Sequence, residues 1–255
     1  MAHFPKHIKT ALQFFLLAVV VFFFNQCSTE NPSVNPKPES SPTSQQPSQP
    51  ISKKVSYIAL GDSYTIGQSV CPTCHFPEQL KKNLEATIPG LSVDLKIIAQ
   101  TGWTTSNLIQ AIKEQQPTTD HNLVTLLIGV NNQYQNREFI IYEREFPQLA
   151  QTAIALAKGK KDNVIVVSIP DYAYTPFGQQ TGNAAKISTE LDRYNTFAKT
   201  YCEANGITFI NITDITRQGL KETYLVAPDG LHPSEKAYSL FVERLTPKAN
   251  VIVQK

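Results

Sequence analysis

Five short runs of apolar, largely β-branched residues recur along the chain: Val55–Leu60, Val93–Ala99, Leu123–Ile128, Val164–Ile169 and Ile207–Ile212. Each ends in turn or loop residues. They read as continuous rather than alternating, the pattern of strands buried on both faces. Helical periods stand between them. Phe76, Leu80 and Leu84 are four apart, with Pro77 near the start and Gly90 beyond the end, as helix boundaries require. Tyr142, Phe146, Leu149, Ala153 and Leu156 step 4-3-4-3, and Ile187, Leu191, Tyr194, Ala198 and Tyr201 step likewise. Ser234 can cap a last helix carrying Tyr238, Phe241 and Leu245, while Thr104–Gln115 is a weaker helical segment. Strand alternating with helix predicts an α/β domain: a five-stranded parallel sheet with helices on both faces.

The pattern does not extend to the N-terminus. Lys6, His7 and Lys9 precede an almost wholly apolar stretch, Ala11–Phe24, which has the order of an export signal. It falls short of the ~20 residues that span a bilayer comfortably. Cys27 follows directly and resembles the lipid-attachment cysteine of bacterial lipoproteins, with Gln26 where a small residue is usual. An uncleaved anchor and a soluble secreted form are the other readings. Residues 28–52 are dominated by Pro, Ser, Gln and Asn, a composition that cannot bury enough apolar surface to order itself. The organisation expected is a signal with Cys27 over residues 1–27, a tether over 28–52, and one domain over 53–255. That places the protein on the bacterial cell envelope, tethered to the membrane, with a secreted or periplasmic form as the alternative. Lys and Arg number 23 against 21 Asp and Glu, and no basic stripe interleaves with aromatics, so nucleic acid is not an expected partner.

In open parallel sheets, ligands bind outside the carboxyl ends of the strands. The first strand runs into Gly61, Asp62, Ser63 and Tyr64; the second into Gln100, Thr101, Gly102 and Trp103; the third into Gly129, Val130, Asn131 and Asn132. Beyond the fifth lie Asp229, Gly230, Leu231, His232 and Pro233. A serine hydroxyl is a poor nucleophile until a base takes its proton. His232 is the candidate base, because imidazole titrates near neutrality. Asp229, three residues before it, can fix its tautomer. The charge that develops on an attacked carbonyl oxygen needs preorganised donors, each worth roughly 3–4 kcal/mol of barrier. The backbone N–H groups of Ser63 and Gly102 and the side-chain amide of Asn131 are candidates. Singly, each motif is a common turn, loop or helix start. Jointly, they are the parts for acyl transfer.

These four blocks resemble those of the SGNH, or GDSL-type, hydrolases. Gly61-Asp62-Ser63-Tyr64 matches the first block, Gly102 the second, Gly129-Val130-Asn131 the third, and Asp229 with His232 the last. The resemblance covers Val55 to Leu245. It implies a three-layer, flavodoxin-like fold, no cofactor or metal, and hydrolysis of carboxylic or thio esters through an acyl-enzyme. One departure is Asn132, where the family usually has aspartate. The Gly-x-Ser-x-Gly elbow of common lipases is absent, since position 65 is Thr. The substrate is expected to be a small-molecule, glycan or lipid ester. A carbohydrate O-deacetylase and a catalytically silent surface binding protein are the alternatives, and a monomer is expected.

Tyr64, Trp103, Asn132, Tyr134 and Tyr172 flank the blocks and are candidates to line a substrate pocket. The loop Asp171–Phe177 is the place where specificity is expected, because loops on a rigid scaffold usually carry it. Cys71-Pro-Thr-Cys74-His75 spells a haem-attachment signature, and also offers a zinc half-site or a redox dithiol. In an exported protein a short Cys71–Cys74 disulfide is the favoured reading. Cys202 is expected in the core.

Overall fold

The computed structural model describes residues 53–255. The expected export segment, Cys27 and the tether lie outside the described residues. The five apolar runs become five strands: β1 (Lys53–Gly61), β2 (Leu91–Ala99), β3 (Leu123–Leu127), β4 (Val164–Val167) and β5 (Thr208–Ile210). All pair in parallel, in the order β2-β1-β3-β4-β5. Between them run α1 (Ser63–Ile66), α2 (Phe76–Thr87), α3 (Thr105–Gln115), α4 (Val130–Tyr134), α5 (Phe139–Leu156), α6 (Pro176–Gln180), α7 (Ala184–Asn205), α8 (Thr213–Thr216) and α9 (Glu235–Gln254). Helices α2 and α9 pack together on one face, while α3, α5 and α7 form a contiguous layer on the other. The result is the three-layer, flavodoxin-like fold.

The central strands are buried on both faces as expected: β3 and β4 have no exposed residue. Strand β2 departs from that expectation. Its burial alternates, with Leu91 and Val93 inward and Ser92, Asp94 and Lys96 exposed. It is an edge strand, and the charged side chains on its outer face blunt the open edge. Strand β5, at the other edge, is half-buried throughout. The core lies between sheet and helices, from Leu60, Ile58 and Leu126 to Phe76, Leu80, Phe146 and Phe241. Each such fully buried side chain contributes on the order of 1.5–3 kcal/mol.

Helix α3, weakly signalled by its apolar period, forms in full. Thr104 caps it: its hydroxyl accepts from Asn107 N–H, and the Asn107 side chain reaches back to the Thr104 N–H. Capping of this kind satisfies donors that hydrophobic periodicity does not register. The order reverses between β1 and β3, so their carboxyl ends flank the topological switch point where open sheets bind ligands.

Candidate active site

Strand β1 ends on Gly61 because nothing larger fits. A Cβ there would stand 2.1 Å from Thr65 Oγ1 and 2.4 Å from the Leu127 carbonyl. The chain then turns directly into α1. Asp62 caps that helix, its Oδ1 accepting from Tyr64 N–H at 3.0 Å. This places Ser63 at the first helical position, on the rim of the sheet.

The last loop brings His232 to it across 169 residues of sequence. His232 Nε2 lies 3.0 Å from Ser63 Oγ. His232 Nδ1 lies 2.6 Å from Asp229 Oδ2. Asp229 Oδ1 accepts from the Leu231 and His232 N–H groups, both at 3.0 Å, so the loop wraps its own carboxylate. The loop is closed by an antiparallel bridge between Val226 and Pro233. Burial works against the Asp229 charge. Hydrogen bonds from Ser69 and His232, and from the two backbone N–H groups, outweigh it and hold the pKa down at about 2. The carboxylate therefore stays ionised at any pH where an imidazole is neutral, and the imidazole keeps its Nε2 lone pair toward Ser63.

The candidate oxyanion donors converge on the same cavity, which Ser63, Gly102 and Asn131 all line. The Ser63 and Gly102 N–H groups donate to no acceptor among the described residues. A Cβ on Gly102 would meet nothing within 4 Å, and the φ of +83° is what calls for glycine. Asn131 stands on the first turn of α4, after Gly129, whose φ of +128° and contact with the Tyr142 ring admit no side chain. One N–H of the Asn131 amide is held by the Trp103 carbonyl at 3.0 Å, which leaves the second free to donate.

The cavity, a cleft open to solvent on one side, measures about 240 Å³ and is lined by Tyr64, Val130, Tyr134, Tyr172, Phe177 and Leu231 beside the polar groups. Three of the five candidate pocket residues are there: Tyr64, Tyr134 and Tyr172. Tyr64 also stands edge-on to the His232 ring, with centroids 5.7 Å apart. Tyr134 packs edge-on to Tyr172, whose hydroxyl donates to Gln133 Oε1 at 2.8 Å.

Trp103 and Asn132 are corrections. Trp103 is not among the residues lining the cavity: its side chain packs half-buried against the core, and its carbonyl holds the Asn131 amide. Asn132 is fully buried, its Oδ1 accepting from Thr105 N–H at 2.9 Å and its Nδ2 donating to Thr105 Oγ1 at 2.7 Å. Both ends of its amide are therefore spent on the start of α3. Val130 and Leu231, inside the motifs but not among the candidates, also line the cavity. Sequence reasoning missed Ser69 and Gln135, whose Nε2 donates to the Gly102 carbonyl at 2.9 Å.

Cys71 and Cys74 are joined in a disulfide, with Cα atoms 5.0 Å apart. Both sulfurs are thus spent on each other, and neither offers a thiolate to zinc or a thiol to haem. Cys202 is a buried free thiol, as expected for a core residue.

A serine, an imidazole and a carboxylate in hydrogen-bonded sequence, at the carboxyl edge of a parallel sheet, define a hydrolase-type site on a flavodoxin-like scaffold. The chain belongs to the GDSL-like lipase/acylhydrolase family, whose model matches residues 59–240. No curated protein matches its sequence. Solved structures share the fold. A lipase from a goat rumen metagenome is 19% identical, covering 77% of this chain and 98% of its own, with a TM-score of 0.60. The lipase/acylhydrolase from Enterococcus faecalis is 18% identical, covering 77% and 96%, at 0.58. An acetyl xylan esterase from Geobacillus stearothermophilus is 18% identical, covering 76% and 94%, at 0.57. Family and neighbours together support an ester-cleaving hydrolase.

Proposed function

We propose that the chain is a serine esterase working through an acyl-enzyme, with Ser63 as nucleophile, His232 as general base and Asp229 as its partner. The observation that carries this is the continuous row from Asp229 Oδ2 through both imidazole nitrogens to Ser63 Oγ. In the proposed cycle Ser63 Oγ attacks the ester carbonyl carbon and its proton passes to His232 Nε2. The new oxyanion is met by the N–H groups of Ser63 and Gly102 and by Asn131 Nδ2. Collapse breaks the bond to the alcohol, which leaves with the proton from His232. Water, deprotonated by the same nitrogen, then releases the acid from Ser63.

The cavity's size bears on the acyl group. A cleft of about 240 Å³ can seat a short acyl chain in full, whereas a long one would have to run out over its open side, which favours the short chain. An O-acetylated carbohydrate is the second reading that this small volume supports.

Fluorophosphonate labelling tests the assignment, because the probe reacts with activated serines. The unaltered chain should label on Ser63 and hydrolyse p-nitrophenyl acetate faster than p-nitrophenyl palmitate. In Ser63→Ala, labelling should vanish and turnover should fall by at least about 10⁴-fold, with the unfolding midpoint kept. A Ser63→Ala protein that still labels sinks the reading.

A further inference from the structure

The segment joining α1 to α2 does more than connect them. Gly67 and Ser69 both take the left-handed conformation, at φ of 74° and 68°. For glycine this is free. For Ser69 it is not, and a residue held there against its preference points to a constraint imposed from outside. The constraint is visible. Ser69 Oγ donates to Asp229 Oδ2 at 2.6 Å, the same oxygen that meets His232 Nδ1. The adjacent Gln68 accepts, at Oε1, from Thr101 Oγ1 at 2.7 Å, on the residue before Gly102. One dipeptide thus ties the nucleophile corner to both the base loop and the oxyanion loop. The Cys71–Cys74 disulfide closes the strap behind it. The buried end is anchored in turn: Gln79 Nε2 donates to the Cys74 carbonyl and to the Glu235 carbonyl at the start of α9.

We propose that Ser69 is a positioning residue of the active site, acting through Asp229, and that the Cys71–Cys74 disulfide holds it in place. The proposal rests on the reading of Ser63, His232 and Asp229 given above. Asp229 is not sealed off, as its side chain keeps 29% of its exposure. Without Ser69, water would compete with the imidazole N–H for Oδ2, and only the two backbone bonds to Oδ1 would be left beside the imidazole to hold the carboxylate's orientation. A second donor on that oxygen fixes the carboxylate plane, and with it the aim of Nε2 at Ser63. None of this touches the substrate, so the effect belongs in kcat.

Ser69→Gly is the informative variant, since it removes the hydroxyl while suiting the left-handed backbone. With p-nitrophenyl acetate, kcat should fall about three- to tenfold, the scale of one partly exposed hydrogen bond to a charge. KM should stay within twofold and the unfolding midpoint should not drop. Dithiothreitol supplies the second arm. It gives two electrons and two protons to the Cys71–Cys74 bond, leaving two thiols and the cyclic oxidised reagent. Reduction should slow the unaltered chain by a similar factor, reversibly, and add little to the loss in Ser69→Gly. A Ser69→Gly enzyme with kcat within twofold of the unaltered chain overturns the role of Ser69. So does a loss that follows a lowered unfolding midpoint. Reduction without effect, or slowing both proteins by the same factor, overturns the role of the disulfide. Labelling that survives Ser63→Ala would instead defeat the underlying reading, whatever Ser69 does.

Discussion

Two aspartates stand behind the two ends of the reacting pair, and the fold treats them oppositely. Asp62 precedes the nucleophile and is fully buried. Its Oδ1 caps α1, but its Oδ2 has no partner among the described residues. Burial pushes its carboxyl up, to about 7, against the pull of nearby backbone N–H groups. Asp229 precedes the base, is partly exposed, and collects four donors that hold it at about 2. Donor count, set against desolvation, decides where negative charge resides. Below about pH 7 the placement suits the proposed chemistry. Charge on Asp229 stabilises an imidazolium one residue away from the reaction. Charge on Asp62, directly behind the Ser63 N–H, would oppose the oxyanion which that N–H must receive.

The comparison breaks most sharply at Asp229. Asp229→Asn keeps the shape, removes the charge and lets the amide favour the wrong imidazole tautomer. We expect kcat for p-nitrophenyl acetate to fall about 10³–10⁴-fold, the loss typical of triads stripped of their carboxylate. A loss under tenfold would leave Asp229 without the role given to it.

Asp62 sharpens the comparison through stability rather than rate. Its folded pKa lies above the 3.8 of an ordinary aspartate, so folding favours the protonated form. Its contribution is fully present below about pH 4 and is lost as pH rises to about 7, beyond which it stays constant. The raised pKa corresponds to a cost of roughly 4 kcal/mol once the group is ionised. Asp62→Asn cannot ionise. The difference in unfolding free energy between variant and unaltered chain should therefore swing toward the variant, by up to that amount, between pH 4 and pH 8. Chemical denaturation at several pH values measures it, and a difference that is flat in pH would remove Asp62 from the account.

What the sequence made legible follows the same physics. Strands β1 to β5 were found within a residue or two at most ends, because buried runs and helical periods are one-dimensional signals. Helices α5, α7 and α9 were found from their apolar steps. The short helices α1, α4, α6 and α8 carry no such period and were not anticipated. Ser63, Gly102, Asn131, Asp229 and His232 were singled out because each directly follows a strand or closes a recognisable turn, and the structure gathers them at one rim. Ser69 escaped because nothing local marks it: its partner is 160 residues away, and its left-handed backbone is not written in its identity. Trp103 and Asn132 were misplaced for a related reason. Adjacency to a motif fixes where a backbone lies, not which way a side chain faces.

The smallest expected effect concerns Asn132, the departure from the usual family block, and extends the comparison of carboxyl groups to a third site. Thr105 Oγ1 donates its only proton to Glu145 Oε2 at 2.6 Å, and Glu145 also takes the Ser106 hydroxyl. The Thr105 oxygen is left as an acceptor, and Asn132 Nδ2 is the donor that fills it. An aspartate at 132 could keep the bond from Thr105 N–H, but its second oxygen would face a lone pair. A single hydroxyl proton would then stand between two buried carboxyl groups. The neutral amide is thus matched to the acid that α5 contributes at 145, and neither position is interpretable alone. Asn132→Asp should cost about 2–3 kcal/mol of stability, read by urea unfolding. Adding Glu145→Gln should return a good part of it, because the amide can donate to the Thr105 hydroxyl and free its proton for the new carboxylate. Strictly additive losses in the double variant would show that the two sites do not share that proton.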